Sequence, residues 1–222
     1  MDSPNNSPFP RGCKMDLYAR AAATLYGIIS FDDFFKILDT YYGEGSLSKE
    51  RIMQYFWSAK NDDPMYYVQD ELIVHSSISP DEIKHTLFEI QHPVGVTAPK
   101  QHKILPEKEF LMYANPLLYE HSAGAEKMEA YLTDDLGIAP EDVREIVAEM
   151  TFICRTGSSP ILLMDALTRR GYPFGKECDL DLIVLGSELE AGTRMWERLG
   201  PPAERWRGDN REERGCSITM IE

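Results

Sequence analysis

Between Leu17 and His75 the spacing of apolar residues changes once, and that change limits the fold more than any other feature of the chain. Up to Trp57 the apolar positions recur every three or four residues, as along one face of a helix. Beyond Asn61-Asp62-Asp63-Pro64 the chain turns β-branched and aromatic in two short runs, Met65–Val68 and Leu72–His75. Proline cannot continue a helical ladder and disfavours helix at the residue before it, so the change has a local cause.

Three helices are expected before the break. Leu17, Ala21, Leu25, Ile28 and Ile29 form the first stripe, with Arg20 and Thr24 outside and Gly27 loosening the last turn. Ser30 offers a capping oxygen to the second helix, and Asp33 adds the negative charge a helix start prefers. Phe31, Phe34, Phe35, Leu38 and Tyr42 are its apolar face, stopped by Gly43 and Gly45. Ser48 caps the third, Leu47 and Ile52 stand at the positions of a hydrophobic staple, and Ile52, Met53, Phe56 and Trp57 are its expected buried face. A hairpin with a Gln69-Asp70-Glu71 tip comes next. Helix, helix, helix, hairpin is the order of a winged helix-turn-helix, whose third helix enters the major groove in DNA-binding members.

The charges point away from that use. Between Met15 and Pro80 ten acids face five cations: Arg20, Lys36, Lys49, Arg51 and Lys60. The wing tip carries Asp70 and Glu71 where a groove reader needs cations for phosphates. Lys49, Arg51 and Lys60 are the only candidate phosphate contacts on the third helix, so nucleic acid is possible there but disfavoured. The net charge of −14 is spread over both halves of the chain and favours basic partners over nucleic acid or anionic membrane. No apolar run has the length of a membrane span, and the N-terminus lacks a signal-peptide apolar core. Cys13, Cys154, Cys178 and Cys216 show no paired spacing, which suits reduced thiols in a cytoplasm.

After the hairpin the pattern is helical. Ser79-Pro80-Asp81-Glu82 is a helix start with a capping box, leading into Ile83, Leu87 and Ile90. His92 to Lys103 has no periodicity and reads as a loop or linker. Pro106 opens a helix with Phe110, Leu111, Ala114 and Leu117 inward, kinked at Asn115-Pro116. Glu126 to Leu136, Pro140 to Gly157, Ser159 to Gly171 and Leu180 to Leu199 complete the helices. The expected fold class is therefore mainly α with one small β-hairpin, a winged-helix-like N-terminal module plus a C-terminal helical bundle. The expected divisions are a disordered tail over 1–14, the module over 15–78, the helical domain over 79–200 and a frayed tail over 201–222.

No catalytic, cofactor or metal site is expected. His85, His92 and His102 lack the close paired spacing of zinc ligands. Gly43-Glu44-Gly45 and Gly171–Gly175 are not phosphate loops, and no Ser or Cys stands in a nucleophile setting. The partner-binding candidates are Lys49, Arg51, Lys60, Asp70 and Glu71, together with Arg194, Trp196, Arg198, Trp206 and Arg207. That second group sets two tryptophans among arginines, the residue types enriched at interface hot spots. The plainer alternative there is that Met195 and Leu199 pack inward while Trp196 covers the core edge.

Three stretches carry a family resemblance: Tyr18–Ala22 with Leu25-Tyr26-Gly27, Ile104–Ala114, and Thr193-Arg194-Met195-Trp196-Glu197. Together they resemble an uncharacterised family of bacterial proteins common in gut Gram-positive bacteria, some with a SEC-C or Rho-N-terminal-like segment. Members read Asn-Asn before the Thr-Arg-Met-Trp, where Glu190-Ala191-Gly192 stands here. With no SEC-C cysteine cluster, the metal role of that segment does not transfer. The resemblance implies a discrete fold and no particular chemistry. The expected function is that of a non-enzymatic acidic cytoplasmic adaptor or regulator acting by protein–protein contacts, of unassigned oligomeric state. The alternatives are a winged-helix DNA-binding transcriptional regulator and a nucleic-acid mimic that inhibits a nucleic-acid enzyme in the anti-CRISPR manner.

Overall fold

The computed structural model describes residues 15–58, 63–92, 104–157, 161–172, 176–196 and 217–218. The expected N-terminal tail, the expected C-terminal tail apart from Ser217–Ile218, and Lys60, Arg198, Trp206 and Arg207 lie outside the described residues. The chain is mainly helical with a small antiparallel sheet, and divides into two units: Met1–Leu87 with Ile104–Ala114, and Phe88–Lys103 with Asn115–Glu222.

The first unit runs α1 (Met15–Tyr26), β1 (Ile28–Ser30), α2 (Phe31–Tyr42), α3 (Lys49–Ser58), β2 (Tyr66–Gln69), β3 (Leu72–His75). Its sheet has the order β1-β3-β2, all antiparallel, which is winged-helix topology. The first departure from expectation is β1. Gly27 takes a left-handed φ of 72° that stops α1, and the two β-branched residues after it extend and pair Ile28 with Val74 and Ile29 with Ile73. Ile28 and Ile29 are buried as expected, but in the sheet rather than on a helix. Thr24, expected outside, is buried at 5%, because α1 is sandwiched and Ala19, Ala21, Ala22 and Ala23 allow close approach on several sides.

Ser30 caps α2 as anticipated, its Oγ accepting from the Asp33 backbone N–H at 3.1 Å. Phe56 of α3 is the hub of this core, stacked on Phe31 at 5.6 Å and edge-on to Phe34 and Tyr66. Asp63, at the break after α3, holds Arg20 at 2.6 Å and accepts from the Met65 N–H at 2.9 Å, fixing the entry to β2.

After α4 (Ile83–Gln91), α5 (Glu107–Met112) belongs to this first unit and not to the helical domain. Phe110 is fully buried against the rings of Tyr18, Tyr26 and Tyr41, and Tyr41 Oη donates to the Leu105 carbonyl at 2.8 Å. Tyr18 Oη donates to Glu107, and burial together with that bond pushes the Tyr18 phenol well up. The first unit thus takes in residues on both sides of the expected boundary at 79. At Asn115-Pro116 the helix has already ended rather than kinked, and Leu117 is exposed.

The second unit contains β4 (Glu120–His121), α6 (Ala123–Ala130), a π-helical turn (Tyr131–Asp135), α7 (Pro140–Arg155), α8 (Ile161–Arg169), α9 (Lys176–Gly192) and β5 (Ser217–Ile218). The stripes expected on α7 and α8 are the core: Val143, Ile146, Val147, Met150, Cys154, Leu163 and Leu167 are buried, against Leu182 and Leu189 of α9. α6 starts three residues earlier than Glu126, because Ser122 caps it through the Ala125 N–H. α9 ends at Gly192 rather than running to Leu199, and Thr193 Oγ1 turns back to donate to the Leu189 carbonyl. β4 pairs with β5, Glu120 opposite Ile218. No helix among the described residues is long and apolar enough to cross a membrane.

Candidate protein-contact surface

A groove-reading winged helix works through the outer face of its third helix and its wing. On α3, residues Ile52 and Phe56 lie one turn apart and face the core, 2% and 3% exposed. Met53 and Trp57 are rotated about 100° from them. Met53 is half-buried, and Trp57 is 63% exposed at the end of the helix. Trp57 is thus corrected from core to surface. The ring contacts show that Phe56 takes the place in the core among Phe31, Phe34 and Tyr66.

The cations of α3 divide. Lys49 Nζ is bound to the exposed Asp32 of α2, so its charge already has an acidic partner on the protein's own surface. The Asp32 contact, with Glu71 and Glu50 nearby, raises the ammonium pKa. Arg51 is exposed. Glu50, beside them, is exposed and bound by the Ser48 hydroxyl at 2.6 Å, which lowers its pKa. Tyr55 and Tyr66 donate to the two oxygens of Asp16 at 2.8 and 2.9 Å, tying α3 and β2 to α1.

The wing tip is a two-residue turn rather than the three-residue tip expected, with Gln69 paired to Leu72 in the ladder. Asp70 and Glu71 both take left-handed conformations, φ 49° and 63°, the pattern of a type I′ turn, and both are exposed. The Glu71 carbonyl accepts from the Phe31 N–H at 2.9 Å, anchoring the tip to the start of α2. Lys49, Arg51, Asp70, Glu71 and Trp57 therefore all belong to the first unit, where α3 and the wing carry charges of both signs and one large exposed apolar side chain.

Of the Arg/Trp candidates of the second unit, the two among the described residues do not form such an exposed face. Arg194 and Trp196 are buried, 6% and 4% exposed, and Trp196 meets Phe152 of α7 edge-on at 5.8 Å. Their side chains are turned into the fold rather than to solvent, as the plainer alternative has it for Trp196, and Thr193 and Met195 are buried with them.

Two buried features leave almost no mark in the sequence. Arg155, in the last turn of α7, donates from Nη2 to both oxygens of Glu120 at 3.0 and 2.9 Å, with the two side chains 2% and 1% exposed. The only hint is one arginine continuing the apolar run Phe152-Ile153-Cys154. Next to it, burial pushes the Cys154 thiol up to about 12, which suppresses the thiolate that nucleophilic or redox chemistry needs. Among the described residues no group of His, Cys, Asp or Glu is placed to hold a metal ion. No family model matches the sequence, and neither a curated protein nor a solved structure is found to be similar to it.

Proposed function

We propose that this is a non-enzymatic, cytoplasmic adaptor or regulatory protein that uses its winged helix to hold another protein rather than DNA. The observation that carries the reading is the character of the α3–wing face. Two carboxylates occupy the wing turn, Lys49 is already bound to Asp32, and Trp57 projects 63% exposed from the end of α3. Duplex binding draws on phosphate neutralisation and counterion release, and of the described cations on α3 only Arg51 stands without such an internal ion pair in its favour. An exposed tryptophan is one of the side chains enriched at interface hot spots, and Trp57 is on the same helix as the exposed Arg51.

The test is a titration of the full chain with random duplex DNA at low and raised salt, beside affinity capture from the cells that make it. The expectation is no duplex binding that weakens steeply with salt, and capture of a protein that survives nuclease treatment and is depleted by Trp57→Ala. Salt-steep duplex binding lost in Arg51→Ala would overturn the reading in favour of DNA binding. Capture reversed by added nucleic acid would overturn it in favour of the mimic.

A further inference from the structure

Between Leu180 and Leu189, α9 carries apolar side chains both toward the core and toward solvent. Leu182 and Leu189 point into the core, fully buried, while Leu180 and Val184, one turn apart on the outside, are 68% and 58% exposed, with Ile183 beside them at 38%. Large apolar side chains clustered on an exposed helix surface are a mark of a contact surface. Val184 and Leu185 also form one wall of a cleft of about 690 Å³ whose other wall is the π-helical turn after α6. That turn is held by the Leu136 N–H donating to the Tyr131 carbonyl five residues back, at 3.1 Å, a geometry frequent at functional sites.

The rim of the cleft is acidic. Asp134 and Asp135 come from the π turn and Asp181 from α9, all three exposed. The lysine among the lining residues, Lys127, is bound to Glu188 at 2.7 Å. Asp134 and Asp135 also sit at the C-terminal end of a helix, where the backbone already presents negative charge and a cation is the favoured neighbour. An apolar stripe at helical spacing beside three carboxylates is complementary to one kind of object, an amphipathic segment with an apolar face and a basic edge.

We propose that this cleft and the Leu180–Val184 stripe dock a basic amphipathic helix of a partner protein, with its apolar side chains on Val184 and Leu180 and its cations against Asp134, Asp135 and Asp181. The inference deepens the protein-contact reading by giving a partner chemistry, but it uses a surface in the other unit. Duplex binding in the DNA titration would sink that reading and leave this one standing, whereas loss of peptide docking would do the reverse.

The experiment measures fluorescence anisotropy of a labelled leucine–lysine peptide of about five helical turns against the full chain. A leucine–glutamate peptide of the same pattern serves as comparison. The expected result is binding of the basic peptide alone, weakened about tenfold by Asp134→Asn, Asp135→Asn and Asp181→Asn together. Val184→Ser should weaken it to a similar degree, while neutralising the exposed Asp81, Glu141 and Asp142 instead should change it little. Three outcomes overturn the proposal. Equal weakening by the second set would leave only the net charge of the chain, and equal binding of the acidic peptide would leave only apolar adhesion. If Val184→Ser changes the sedimentation of the chain itself but not its affinity for the peptide, the face belongs to a second copy.

Discussion

Arg155 and Glu120 are the pair on which the interior of the second unit is most exposed to error. Taking a guanidinium and a carboxylate out of water costs several kcal/mol apiece, and only their mutual contact with good geometry offsets it. Their two Nη2···O distances of 3.0 and 2.9 Å at 2% and 1% exposure supply that geometry. Removing one partner leaves the other charge buried, so Arg155→Met is expected to cost roughly 3–5 kcal/mol. Joining it with Glu120→Leu should recover most of that loss, since the double change leaves no buried charge. Urea midpoints of the two variants check this, and a double variant as weak as the single would mean the pair contributes more than mutual neutralisation. Nothing in residue spacing marks Arg155 for this role. The arginine lies in a helix's last turn, where a cation is expected for the dipole alone, and its partner is thirty-five residues away.

At the scale of elements, glycine spacing decides how closely α6 and α9 meet. A Cβ on Gly124 would stand 2.4 Å from the Glu188 carbonyl oxygen of α9, a backbone atom that cannot swing aside. One on Gly192 would stand 2.4 Å from the hydroxyl of Ser122, the cap of α6. Gly124→Ala should therefore force the helices apart and cost about 1–3 kcal/mol, the range for overpacking, although alanine is the better helix former. A thermal melt reads the sign directly, and a stabilised Gly124→Ala would refute the close approach. Elements are legible where their period is local, as on α7 from Val143 to Cys154, and are missed where a non-local pairing decides. Ile28 and Ile29 continue the helical spacing from Leu25, and become a strand because Gly27 ends the helix and β3 is there to receive them. Trp57 reads as core because Phe56 and Trp57 are equally apolar, and only the position of Phe31 and Phe34 selects between them.

For the whole molecule, the informative departure is that the first unit is discontinuous in sequence. The aperiodic stretch from His92 to Lys103 has the composition of a linker, and a linker ordinarily separates the elements on its two sides. Pro106 to Ala114 is amphipathic and would suit any core, so its pattern does not select one. The structure gives it to α1: Phe110 fills the space between Tyr18, Tyr26 and Tyr41, and Leu105 is held by Tyr41. This arrangement predicts where damage at Phe110 is felt. Phe110→Ala removes a fully buried ring and should cost about 3–5 kcal/mol. Hydrogen exchange read by mass spectrometry should show the lost protection over α1 and α2, with α6 and α7 keeping theirs, because the cavity opens against Tyr18 and Tyr41. Loss concentrated in α6 and α7 would return α5 to the helical domain and restore the boundary at residue 79. Because Trp57 lies in the same unit as Phe110, the same variant should also weaken capture of the protein partner in proportion to the unfolded fraction, while peptide docking at Val184 stays unchanged.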